Sequence, residues 1–129
     1  MKSKTFTISF ADINTSGSSG TPVEIDTVMD YEMLDDKKEI NSTQSYYPKQ
    51  VFFLNDTGID IEIIILSSPG EVSDYTDRPQ YYNYIRVPSG FSFVNDGKFN
   101  TCFKMLVKGI GTTADTDLRL DFYSYTYFK

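Results

Sequence analysis

The residues able to do chemistry are few in kind. Eighteen Asp and Glu residues are present and no histidine. Without histidine the commonest general base at neutral pH is missing, and with it every Ser-His or Cys-His nucleophile pair and most zinc sites. Paired carboxylates could hydrolyse glycosides, but Asp56, Asp96 and Asp115 fall in turn sequences, while Asp60, Glu62, Asp117 and Asp121 alternate with apolar residues as a solvated face does. Asp74 with Asp77, or Asp115 with Asp117, could offer loop oxygens to calcium. Neither pair sits in the ordered Asp-x-Asp-x-Asp-Gly loop, and solvated turns account for both. Gly109-Ile-Gly111 lacks the third glycine and the following helix of a phosphate cradle, so it reads as a turn at a strand end. The expectation is a non-enzyme with no cofactor and no metal.

Tyrosine is the more informative residue. There are ten, and no tryptophan. Tyr123, Tyr125 and Tyr127 alternate along one segment and are expected to share a strand face as a ridge. Tyr81 and Tyr82 stand in a loop-like stretch. An apolar ring with a polar tip suits a half-wet contact, so these five residues are the candidate interface. A glycan platform, a subunit contact, or rings lining sheet rims within the monomer would each use them, and the lack of tryptophan weakens the glycan case.

The elements that must position these residues are strands. Alternation with a period of two recurs along the chain. Phe6, Ile8 and Phe10 oppose Thr5, Thr7 and Ser9; Val23, Ile25, Met29, Tyr31 and Met33 continue the period with a break at Thr27. Val51-Phe-Phe-Leu54 and Ile59 to Leu66 flank Asn55-Asp-Thr-Gly58, whose residues suit a hairpin loop. Ile85 and Val87 precede Pro88-Ser-Gly90 and then Phe91-Ser-Phe-Val94, with Asn95-Asp-Gly97 as a further turn. Phe103, Met105 and Val107 alternate with Lys104 and Lys108. Leu118, Leu120 and Phe122 alternate with Asp117, Arg119 and Asp121. The stretches 14–21, 34–48, 67–82 and 109–116 read as loops, with a short helix or a partner-reaching arm as alternatives for 34–48. About eight antiparallel strands, punctuated by Gly, Asn and Pro, give an all-β fold, a single β-sandwich of the jelly-roll kind. Residues 1–129 form one domain, with an N-terminal arm or insertion within 1–48.

Charge and composition narrow the partners. A net charge of −6 opposes binding to phosphate backbones and anionic membrane surfaces. No apolar run approaches the ~18 residues of a membrane helix, and the alternating Thr5 to Phe10 does not read as a signal peptide. Nucleic acid and membrane insertion are therefore not expected, nor is secretion. Cys102, the single cysteine, lies among apolar neighbours and reads as a buried small hydrophobe.

The order Val51-Phe-Phe-Leu-Asn-Asp-Thr-Gly58, Ile59-Asp-Ile-Glu62, Ile85-Arg-Val-Pro-Ser-Gly-Phe-Ser-Phe93, then Met105-Leu-Val-Lys-Gly-Ile-Gly111 and Leu118-Arg-Leu-Asp-Phe122, resembles small β-sandwich virion proteins of bacteriophages over residues 50–123. The resemblance implies a structural role as capsid decoration, penton, spike or head-fibre base, or neck or tail subunit. It also implies a virion location, contacts with other virion proteins and a homo-oligomer. It carries over no catalytic or binding residue. A carbohydrate- or receptor-binding module is the alternative.

Overall fold

The computed structural model describes residues 3–27, 29–30, 45–95 and 102–127. Its strands are β1 (Lys4–Ile8), β2 (Val23–Asp26), the two-residue β3 (Met29–Asp30), β4 (Ser45–Leu54), β5 (Ile61–Leu66), β6 (Ile85–Val87), β7 (Ser92–Asn95), β8 (Lys104–Gly109) and β9 (Leu118–Tyr127). Two short helices, α1 (Phe10–Ser19) and α2 (Pro69–Asp77), interrupt them.

The strands form two antiparallel sheets. The first has the order β1-β9-β4, and both β3 and β7 pair with β4. The second runs β2-β8-β5-β6. The eight longer strands pair in a nested way: β1 with β9, β2 with β8, β4 with β7, β5 with β6. First joins last and each inner pair sits inside the one before, which is the jelly-roll arrangement of a sandwich. Every link between these strands except β5 to β6 changes sheet.

The core lies between the sheets because alternation sends every second side chain inward. Leu118, Leu120 and Phe122 of β9 meet Ile61 and Ile63 of β5 and Met105 and Val107 of β8, all fully buried. Cys102 is buried with them, as its surroundings in the sequence suggest.

Asn55-Asp-Thr-Gly58 does not close a hairpin. β4 bonds to β9, β7 and β3, whereas β5 bonds to β8 and β6, so the turn is a corner between sheets. The buried Asn55 side chain supplies donors that a hairpin ladder would otherwise provide. It gives hydrogen bonds to the carbonyls of Ile59 and Val87, each at 2.9 Å.

Two stretches that read as loops hold helices. α1 covers most of 14–21; the Ser9 hydroxyl accepts from the Asp12 amide, and Gly20 ends the helix at φ 74°. Its Thr, Ser and Gly residues are weak helix formers, so tertiary contacts must hold it. Ile13 is fully buried, the Ser16 hydroxyl accepts from the Gly109 amide, and the Asn14 amide both donates to and accepts from the Ala114 backbone at 3.0 and 2.7 Å. α2 occupies the first part of 67–82, opened by Pro69 and by Ser68, whose hydroxyl accepts from the Glu71 amide. A single 3-10 turn, Pro79–Tyr81, follows it. Residues 34–44 of the proposed arm lie outside the described residues, and 45–48 open β4.

Candidate interaction surface

The two outer faces of the sandwich differ. On the β5–β8 sheet, Ile64 faces outward opposite Leu106, and together with Leu66 they form a second, smaller apolar cluster. Val72 and Tyr75 of α2, with Tyr82 and Tyr84, pack over it. The Tyr75 and Tyr84 hydroxyls lie 2.9 Å apart, and burial together with that bond raises the Tyr84 phenol above its ordinary range. Tyr82 donates to the Asp74 carboxylate at 2.9 Å. Asp74 is also gripped by the Arg78 guanidinium, and the bonds from Arg78 and Tyr82 hold its carboxyl below the usual value. This face is closed by the chain itself.

The five tyrosines singled out in the sequence therefore do not form one surface. Tyr82 packs on the small cluster, while its neighbour Tyr81 is 71% exposed with Arg78 over its ring. Tyr123 points outward from the other sheet, but Tyr125 packs against the main core. The expected ridge fails because Ser124 has a positive φ of 60°, which reverses the alternation between its two neighbours. Opposite it, the buried positions of β4 change from Tyr46 and Pro48 to Val51 and Phe53. The β4–β9 ladder is continuous in register except at the Lys49–Ser124 pair. The Tyr127 side chain lies outside the described residues.

The outer face of the β4–β9 sheet holds what the sequence did not single out. One row runs Thr5, Asp121, Phe52, Val94 across β1, β9, β4 and β7. The next pairs Thr7 with Arg119, and Leu54 with Ser92. The β1–β9 half of the face is thus hydroxylic and charged, and the β4–β7 half apolar. Phe52, Leu54 and Val94 are 40, 46 and 61% exposed, and Phe91 before β7 is more than half exposed. Monomeric surfaces keep contiguous apolar patches small, and larger ones mark contacts. Where the two halves meet, an open groove of about 340 Å³ is lined by Phe52, Phe53, Leu54, Asp56, Asp117, Arg119 and Asp121. Arg119 bonds to Asp121 at 3.2 Å.

Three further carboxylates accept hydrogen bonds. Asp60 accepts from the Ser89 amide and from Arg86, which lowers its pKa. Asp117 accepts from the Phe10 amide at 2.9 Å, and Asp115 accepts from Thr116. Among the described residues, no three His, Cys, Asp or Glu residues converge as metal ligands, and no helix is long and apolar enough to cross a membrane. Comparison with protein-family models, curated proteins and solved structures gives no match.

Proposed function

We propose that this chain is a structural subunit of a bacteriophage virion and works through contacts with neighbouring proteins. The observation that carries a contact role is the apolar half-face of Phe52, Leu54 and Val94, which no described residue covers. The opposite face shows how this same chain covers such a stripe when it is to be monomer core: α2, with its Val72 and Tyr75, and two further tyrosines lie over it. Nested jelly-roll pairing supports the reading, because viral capsid domains use it, but lectins and cupins share the architecture, and fold alone does not give function. The assignment to a phage particle rests on the resemblance over residues 50–123. Capsid decoration, penton, spike or head-fibre base, and neck or tail subunit are the positions it offers. A glycan platform has less support, since Tyr82 and Tyr125 are engaged in packing.

Light scattering on the purified chain, together with mass spectrometry of purified particles, tests the proposal. A closed oligomer or a stable complex with capsid or tail proteins is expected. A strict monomer absent from particles would overturn it.

A further inference from the structure

The groove between the two halves of the β4–β9 outer face carries an inference about the partner's chemistry. Phe52 and Leu54 give it an apolar floor on the β4 side, and its lining also carries Asp56, Asp117 and Asp121 against one cation, Arg119. That guanidinium is bonded to Asp121. Asp117 accepts an amide hydrogen bond, which orients its carboxylate without neutralising it, and Asp56 is exposed. Neither Asp56 nor Asp117 has a cationic partner among the described residues. The groove thus offers apolar area and two unmatched negative charges side by side.

We infer that this groove seats a segment of a neighbouring protein that carries Lys or Arg next to aliphatic or aromatic side chains. This deepens the assembly reading and rests on it for the partner being a protein. A second copy presenting the same face would match the apolar floor but set carboxylates against carboxylates, on chains that each carry a net charge of −6. An open groove on a sheet face also fits an extended segment better than a small ligand, which binds where most of its surface can be enclosed. In such a contact the apolar floor supplies affinity, while the carboxylates choose the partner and speed the encounter.

The test pans a random-peptide library on the immobilised full chain, then measures the enriched peptides against two double variants, Asp56→Asn with Asp117→Asn, and Phe52→Ser with Leu54→Ser. All four side chains are exposed, and unfolding midpoints check that each variant is folded. Enriched peptides should pair basic with apolar residues. Binding should weaken roughly three- to ten-fold in the charge variant, as expected for two exposed ion pairs, and at least about ten-fold in the apolar variant. Amide shifts on peptide addition should centre on Phe52, Leu54 and Asp117, a readout that needs no variant. Failure to enrich any peptide, enrichment of sequences without basic residues, binding to either variant as tight as to the parent, or shifts confined elsewhere would each overturn the inference. So would self-association of the chain that the Phe52→Ser, Leu54→Ser variant abolishes, since the occupant would then be a second copy. Particle composition is read separately: a chain found in virions whose groove binds no basic peptide sinks this inference alone, and a basic-peptide binder absent from virions sinks the virion assignment alone.

Discussion

The side-chain amide of Asn55 donates to the backbone carbonyl of Val87 at 2.9 Å, across 32 residues of chain. That bond fastens the corner after β4 to the last residue of β6, just before the chain turns into β7. The Asn55 backbone adds two more links to the second corner, accepting from the Gly90 amide at 2.7 Å and donating to the Phe91 carbonyl at 2.9 Å. The Thr57 hydroxyl lies 2.7 Å from the Asn55 side-chain oxygen and is equally buried. One side chain therefore holds two neighbouring corners in place, and those corners flank the apolar half-face.

Replacing Asn55 takes its side-chain donor from two buried carbonyls, of Val87 and of Ile59, the second of which keeps the Thr57 hydroxyl at 3.0 Å. A buried acceptor stripped of its partner costs about 1–3 kcal/mol. Asn55→Ala should therefore lower stability by about 2–4 kcal/mol, read as a shift of the urea midpoint at constant slope. Asn55→Asp, which cannot donate when ionised, should be no better. A loss under about 0.5 kcal/mol for Asn55→Ala would show that the corner does not depend on this side chain.

Much of the sandwich is legible in the alternation of residues such as Leu118, Leu120 and Phe122, because one inward face fixes their parity. The helices are hidden by composition. α1 is rich in Ser, Thr and Gly, and its capping pattern, Ser9-x-x-Asp12, is a short signal inside a polar stretch; Ser68-x-x-Glu71 marks α2 in the same manner. The candidate surface is hidden for another reason. Val51, Phe52, Phe53 and Leu54 are apolar at every position, so alternation alone cannot say which pair faces water. The tyrosine ridge is lost at Ser124, since a serine gives no warning of a left-handed backbone as glycine or asparagine would.

Gly17 shows a close approach that helix propensity would mispredict. Replacing a helical glycine by alanine ordinarily favours the helix by about 1 kcal/mol. Here a Cβ would stand 1.9 Å from the Gly111 carbonyl oxygen, which belongs to the backbone and cannot rotate aside. Gly17→Ala should destabilise by roughly 2 kcal/mol or more, since overpacking forces the helix from its seat. An unchanged or raised unfolding midpoint would mean that α1 is free to shift away from the loop after β8.

Cys102 ties stability to alkaline pH. Burial pushes its thiol from 9.0 up to about 12, against a smaller opposite effect of the Thr27 hydroxyl. The folded-state pKa is raised, so the unfolded chain loses this proton first. Its contribution is complete below pH 9.0 and declines as pH rises toward 12. Cys102→Ala should show a flatter loss of stability across that window than the parent, once the cavity cost common to all pH values is subtracted. The native thiol should also resist a disulfide reagent until the chain is unfolded with denaturant. Prompt reaction of the folded protein would place the sulfur nearer solvent than the structure does.

Ser124 supplies the last prediction. Its φ of 60° puts an L side chain in the left-handed region, a conformation that costs about 1–2 kcal/mol in a residue other than glycine. Its hydroxyl offsets part of that cost by donating to the Gln50 side chain on β4. Ser124→Gly removes the strain and the hydrogen bond together, so its stability should stay within about 1 kcal/mol of the parent. Ser124→Val keeps the backbone demand, adds a β-branched side chain and loses the hydrogen bond, and should cost about 2 kcal/mol or more. If the two variants unfold at the same midpoint, the left-handed residue is not what turns Tyr125 inward, and the reversal of alternation must come from β4 instead.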